Sequence, residues 1–210
     1  YKRQLIYSMI LFVWGDGYFS NDKIKYGAHL NSPVYEEYGF KEGDLIVEVG
    51  DQKVIEFGSA EKMILIDGDR NIKIKRENEI IPLTLSDNII TELLKNKGKG
   101  ILSDIRFTNV VDSIIPNSNA EIAGLLSGDS IVEINGVNTP FYKDFRDEIQ
   151  KYKSEEIEIS FYRDNSYKTL KVKTNQNSEI GYSRNSVFYK SILKFKKYSV
   201  PEAIPAGINK

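Results

Sequence analysis

Cysteine is absent from this 210-residue chain, and histidine occurs once, at His29. No disulfide, thiolate nucleophile or cysteine-built zinc site is therefore available. One histidine cannot supply an H-E-x-x-H zinc pair, and no serine stands in a G-x-S-x-G nucleophile turn. Phosphate loops are missing too: Lys97-Gly98-Lys99-Gly100 lacks the flanking strand and the G-x-x-x-x-G-K spacing. Asp67-Gly68-Asp69 and Asp164-Asn165 are too short for an EF-hand loop and read as turns. Neither sign of charge is in excess: 29 Lys and Arg face 30 Asp and Glu, and no basic stripe marks a nucleic-acid surface. A long hydrophobic run is also lacking. The apolar block Leu5 to Trp14 stops at Gly15-Asp16-Gly17, and as a helix it reaches about 15 Å, roughly half a bilayer core. No small-x-small cleavage pattern follows it. It is expected to be the end of a membrane helix with Trp14 at the interface, and its length also suits a buried element of the first domain.

What the chain does contain is a long repeat. Gly39-Phe-Lys-Glu-Gly43-Asp44-Leu-Ile46-Val47-Glu48-Val49 returns as Gly124-Leu-Leu-Ser-Gly128-Asp129-Ser-Ile131-Val132-Glu133-Ile134, at an offset of 85 residues. The match is expected to hold without a gap from Glu36/Glu121 to Ile74/Ile159. A period of domain length means two copies of one module, and 210 residues with 40% hydrophobic content give each copy a modest core. In each copy a glycine ends a short helix, a second makes the turn, and Asp opens an apolar run that ends in a hairpin signal, Gly50-Asp51 or Asn135-Gly136. The spacing predicts a helix over 58–66 and a hairpin around Glu77-Asn78 in the first copy. The second should have a helix over 141–152 and a hairpin around Asp164-Asn165. Lys95 to Gly100 is the most linker-like stretch, expected to join two separately folded units. Beyond Asn177, Tyr182, Phe188, Tyr189, Phe195 and Tyr198 alternate with Arg and Lys. That mix suits a membrane interface as well as an ordinary strand packed on the second module. Ser199 then caps a helix with Val200, Ile204 and Ile208 on one face.

The helix-turn-strand-hairpin unit resembles the GD-containing core of a PDZ domain. Both copies resemble the circularly permuted form found in bacterial proteases, with an edge strand before the GD turn. The fold class is therefore read as α+β: two circularly permuted PDZ-like domains in tandem, each a small partly open β-barrel with two helices. The boundaries fall at 1–18 for the membrane-flanking segment, 19–94 and 101–177 for the two domains, 95–100 for the linker and 178–210 for a juxtamembrane segment. Such a fold leaves a gap between an edge strand and a helix, where an extended peptide adds as another strand. The edges are placed at Tyr26 to Asn31 and Asn109 to Ile115, giving candidate peptide contacts at Tyr26, Gly27, Ala28, Ala60 and Ile64 in the first copy. In the second they are Arg106, Phe107, Thr108, Asn109, Val110, Val111, Phe141, Phe145 and Ile149. A terminal carboxylate would meet backbone N–H groups around Arg106 to Thr108, with Arg106 adding charge. The second copy is expected to be the working one, because Phe141, Phe145 and Ile149 offer the larger apolar face.

Taken in order, the block ending Leu11-Phe-Val-Trp14-Gly15-Asp16, the phrase Lys25-Tyr26-Gly27, the two GD modules and the tail Ser199-Val-Pro-Glu-Ala-Ile-Pro-Ala-Gly207 resemble the extracytoplasmic region of an RseP-like member of the site-2 protease family of intramembrane zinc metalloproteases. Lys2 and Arg3 depart from that family, which is apolar there. The resemblance implies a substrate-filtering role at the periplasmic face of the bacterial inner membrane, with a peptide or cleaved membrane protein as partner and a membrane interface at both ends. It implies zinc for the parent protein, held by motifs outside this chain, and no cofactor within it. The alternative is a PDZ scaffold that binds peptide C-termini, standing alone or attached to a serine protease. With His29 as its one imidazole, the chain alone is predicted to cleave nothing. Incubation with zinc and an unfolded protein checks this, and cleavage that disappears in His29→Ala would overturn it.

Overall fold

A computed structural model describes residues 2–95, 100–184 and 186–208. The chain divides into two compact units that are not consecutive in sequence. The first comprises Tyr1–Ile24, Leu30–Ser103 and Ser191–Lys210, and the second Lys25–His29 and Asp104–Lys190. These borders replace the simple succession at 94, 101 and 177. Four residues of the expected linker, 96–99, lie outside the described residues, and a cut there would leave parts of each unit on both sides.

In the second unit, six strands form an open sheet. Ser166–Lys173, Glu156–Arg163, Ser130–Ile134, Asn109–Ile114 and Tyr182–Arg184 follow one another, and Val137–Asn138 pairs back on Ser130–Ile134. The outer strands do not meet, so the sheet is not a closed barrel. The hairpin at Asp164-Asn165 turns with both residues at positive φ, as a two-residue turn of this hand requires. Alternation along Glu156–Arg163 sends Ile157, Ile159 and Phe161 inward, where they meet Ile131, Ile134, Val172 and two helices. These helices are Asn119–Ala123, capped by the Ser118 hydroxyl accepting from the Glu121 N–H, and Tyr142–Ile149, which buries Phe145 and Ile149.

The first unit repeats this order. A 3-10 turn, Pro33–Tyr38, stands for the first helix, with Pro33 in its first turn after Ser32, whose hydroxyl accepts from the Val34 N–H. Its sheet runs Gln52–Lys53, Leu45–Val49, Asn71–Arg76, Glu79–Thr84. Helix Ala60–Asp67 packs Ala60 and Ile64 into a core with Ile46, Ile72 and Ile74, and helix Asn88–Lys95 adds Ile89 and Leu93. The terminal segments belong here too. Helix Lys2–Trp14 packs on helix Val200–Ile208, with Ser8, Leu11, Ala203 and Gly207 buried, and strand Asp16–Phe19 pairs with Leu193–Lys196. Among the described residues, no helix is long and apolar enough to cross a membrane.

Register shows where the gapless repeat fails. Val49 pairs with Ile72 in the first copy and Ile134 with Ile159 in the second, so Ile159 corresponds to Ile72 and not to Ile74. The offset of 85 survives through the helices, where Ala60 and Ile64 match Phe145 and Ile149, and the second copy then gains two residues in the connection to the next strand. Both copies skip one valine in the ladder, Val47 or Val132. The bulged carbonyl accepts from Val54 N–H at 2.9 Å or Thr139 N–H at 2.7 Å.

The GD aspartates explain the motif. Asp44 and Asp129 are fully buried. Asp129 accepts from the Leu126 N–H at 2.8 Å and takes both Nε and Nη2 of Arg163 at 2.7 Å, while Nη2 also donates to the Gly124 carbonyl at 2.9 Å. Asp44 does the same with the Lys41 N–H, Arg76 and the Gly39 carbonyl. Removing the guanidinium strands a buried carboxylate, so Arg163→Ala is predicted to destabilise the chain by about 3 kcal/mol, at the low end for a broken buried pair because Arg163 is itself part-exposed. Urea unfolding measures this, and a loss under about 1 kcal/mol would reduce the pair to an ordinary surface contact.

Candidate functional site

A groove of about 550 Å³ lies in the second unit between helix Tyr142–Ile149 and strand Tyr182–Arg184. Tyr142, Phe145, Arg146, Ile149 and Gln150 form one wall, and residues 178–184 with Ile115 form the other. The strand wall is built by a turn that needs glycine. Gly181 has φ +95°, and a Cβ there would fall on the Ser118 side chain, whose hydroxyl donates to the Gly181 carbonyl at 2.8 Å. The same carbonyl accepts from the Ile115 N–H at 3.1 Å, and Tyr182 stands opposite Ile114. Antiparallel alternation then turns the N–H and C=O of Tyr182 away from Asn109–Ile114, towards the helix. Sheet backbone facing a helix across an open gap is the geometry that accepts an added strand.

Side chains fix both walls. The Tyr182 hydroxyl donates to the Asn109 side-chain oxygen at 2.8 Å, and its ring meets Phe145 edge-on at 6.1 Å. At one end the Arg184 guanidinium lies 3.6 Å from the centre of the Tyr142 ring, tying strand to helix. At the other, the Ser178 hydroxyl reaches the Gln150 carbonyl at 3.5 Å. Arg146 and Arg184 bring positive charge to the walls, and Glu179 brings a carboxylate that accepts from the Asn175 amide at 3.2 Å.

Of the residues expected to contact peptide, Phe145 and Ile149 line this groove and the others do not. Asn109–Ile114 is no open edge: Asn109 and Val110 pair with Ile131 and Ser130, and Val111 and Ile114 pair with Arg184 and Tyr182. Peptide pairing at that strand is corrected accordingly, since its ladder is already filled. Val111 is core. Arg106 does not face a ligand; its guanidinium sits 3.9 Å from the Phe141 ring and its N–H donates to the Gly27 carbonyl. Tyr26 and His29 join the same ring at 5.7 and 6.4 Å, Ala28 is buried, and Thr108 bridges to the Phe141 backbone. Phe107 stacks on Tyr142 at 5.6 Å. In the first unit Ala60 and Ile64 are core, and the Asn31 end of the expected edge strand already donates its N–H to the Ile101 carbonyl. Sequence reasoning missed Tyr142, Arg146 and 178–184; the available signal was Gly181 between Ile180 and Tyr182, a glycine turn flanked by two apolar residues.

Residues 110–163 match the PDZ domain family model. Over 166 residues, 76% of this chain and 36% of the relative, the sequence is 28% identical to a Borreliella burgdorferi protein assigned by name to the zinc metalloproteases. Over 47 residues, 22% of this chain and 11% of the relative, it is 45% identical to the zinc metalloprotease RasP of Shouchella clausii. The solved PDZ domain of the SdrC-like protein from Listeria monocytogenes is 21% identical, with a TM-score of 0.35, covering 39% of this chain and 90% of that one. The chain spans about a third of the length of the first of these relatives. The second unit thus carries a PDZ domain, and the resemblance to the PDZ region of an RseP-like site-2 protease stands on relatives named as zinc metalloproteases. Among the described residues, no group of three or more His, Cys, Asp or Glu could hold a metal ion, so these residues do not fit a zinc site.

Burial pushes the Tyr182 phenol well above its ordinary value of 10.0. The neutral form is the one that fits the folded state, so this contribution to stability is complete below pH 10 and declines as the unfolded chain ionises above it. Tyr182→Phe is predicted to cost about 1–2 kcal/mol at neutral pH by stranding the Asn109 oxygen, and to flatten the stability loss between about pH 10 and 11. Urea unfolding at both pH values checks the pair of effects.

Proposed function

We propose that this chain is the peptide-binding, substrate-filtering tandem PDZ region of an RseP-like intramembrane zinc metalloprotease. The observation that carries it is the second unit's groove, with strand backbone on one wall, Phe145 and Ile149 on the other, and room for an extended segment. The catalytic zinc motifs of the parent protein lie outside this chain, and the partner is an extended peptide, such as the new end of a membrane protein after an earlier cut. A periplasmic position at the inner membrane is supported by the first unit's terminal helices, where Leu5, Ile6, Met9, Trp14, Val200 and Ile208 are exposed apolar side chains. Paired with Asp16–Phe19, the strand Leu193–Lys196 adds exposed Phe195 among lysines, a composition suited to headgroups.

Titration with a short apolar peptide ending in a free carboxylate, followed by amide signals, tests the reading. Shifts should concentrate at residues 142–150 and 178–184. Shifts confined to 26–31 and 58–66 would move the working groove to the first unit, and no shifts at any concentration up to millimolar would remove the peptide-binding role.

A further inference from the structure

Among the differences between the helices Ala60–Asp67 and Tyr142–Ile149, one reverses the charge next to a buried core residue. Within the stretch where the offset of 85 holds, Glu61 follows the buried Ala60 and Arg146 follows the buried Phe145. In the second unit Arg146 lines an open groove. In the first unit Glu61 is buried, and its Oε1 accepts from the Ile101 N–H at 2.9 Å and from the Leu102 N–H at 3.4 Å. Ile101 and Leu102 belong to the segment that corresponds to Gly181–Arg184. The Ile101 carbonyl takes the Asn31 N–H as the Gly181 carbonyl takes that of Ile115, in both cases from the chain just before the first helical turn. Glu61 therefore reaches from its helix to Ile101 and to Leu102, the first residue of strand Leu102–Ile105, and fills backbone donors at the level where an added peptide would pair. Gly100 completes the closure, since a Cβ there would lie 2.6 Å from Glu61 Oε1, and only a residue without a side chain lets the carboxylate come so near.

We propose that Glu61 is a built-in carboxylate ligand of the first groove, and that the second groove, with Arg146 at the same repeat position, takes the carboxylate of a peptide in its place. The chemistry follows from the contacts. Backbone N–H groups at this level have an acceptor supplied from within the first unit. The Tyr182 N–H of the second turns to a helix that places the Arg146 cation at the position of Glu61, with the Asp147 carboxylate 3.5 Å from its Nε on the same helix. A peptide carboxylate would satisfy that N–H and pair with Arg146 as a charge-assisted bond. The second part rests on the function proposed above; the closure of the first groove does not.

The full chain is titrated by calorimetry with acetyl-Gly-Ser-Val-Ala-Val bearing a free C-terminal carboxylate, and with the same peptide amidated. The wild type should bind one equivalent of the free acid, roughly tenfold more weakly when amidated, and Arg146→Glu should lose at least that factor. Glu61→Ala should bind two equivalents. If Glu61→Ala does not fold, amide signals of the wild type decide: shifts at 182 and 183 with none at 101 and 102 support the proposal, and direct shifts at 101 and 102 overturn it. One equivalent in a folded Glu61→Ala, with the second groove still working, overturns the built-in ligand while leaving the peptide-binding function intact. Binding by Glu61→Ala alone, with none by the wild type, keeps Glu61 as the ligand and removes the second groove. Equal affinity for free and amidated peptide rejects the role of Arg146.

Discussion

A buried aspartate held by an arginine on the neighbouring strand is the constraint on which each unit depends. Taking Asp129 out of water is costly, and the fold can bear that cost because every bond the carboxylate needs is supplied locally: one N–H from the turn before it and two from the Arg163 fork. The arginine is not spent on the aspartate alone. A further N–H on its Nη2 reaches the carbonyl of Gly124, which ends the preceding helix. One side-chain pair thus fixes the end of a helix, the turn after it, the start of the central strand and the strand beside that. The repetition of all these bonds by Asp44, Arg76, Lys41 and Gly39 makes them a property of the module.

The groove inherits its position from this arrangement. With the central strand pinned at its first residue, the bulge at Val132 lies a fixed distance along it, and the bulged carbonyl holds Thr139 just ahead of the helix Tyr142–Ile149. The helix then lies where Phe145 and Ile149 can enter the core, and Tyr142 and Arg146 are left along its open side. The opposite wall arrives from far along the chain. Tyr182–Arg184 docks on Asn109–Ile114 through a turn at Gly181 and locks with the Tyr182–Asn109 bond. Site and core are therefore built from the same residues, and Tyr182 and Phe145 serve both.

The sequence announced the module and concealed one wall of its site. Gly-Asp followed by an apolar run, hairpin signals at Asn135-Gly136 and Asp164-Asn165, and the i, i+4 pair Phe145 and Ile149 are local signals, and each became the element it suggested. The strand Tyr182–Arg184 is three residues long, too short for alternation to register, and its partner lies some seventy residues back. Its neighbours mix aromatics with Lys and Arg, so composition suited a membrane interface and a strand packed on the second module equally, and Tyr182–Arg184 is the strand, with Arg184 on Tyr142. Arg106 misled for a related reason: a cation next to a presumed groove looked like a carboxylate receptor, whereas its flat guanidinium had an aromatic face to lie on. The two-residue insertion before Glu156–Arg163 was invisible because alternate residues of both strands are apolar, and a slip of two keeps every side chain on its own face.

That last degeneracy bears on how paired modules diverge. Core positions of the two units tolerate exchange within apolar types, as Ala60 for Phe145 and Val49 for Ile134 show, because burial is non-directional and neighbouring side chains can compensate in volume. The Asp–Arg pair is directional, and both units keep it bond for bond. A groove-facing residue answers to neither constraint. Reversing its charge from Glu61 to Arg146 leaves the core and the ion pair untouched while changing whether backbone donors across the gap meet a carboxylate of their own chain. Two copies of one fold can therefore be equally well built and still present opposite charges at the same place, because stability is set by the pinned strand and the core and not by the side chain at that helix position.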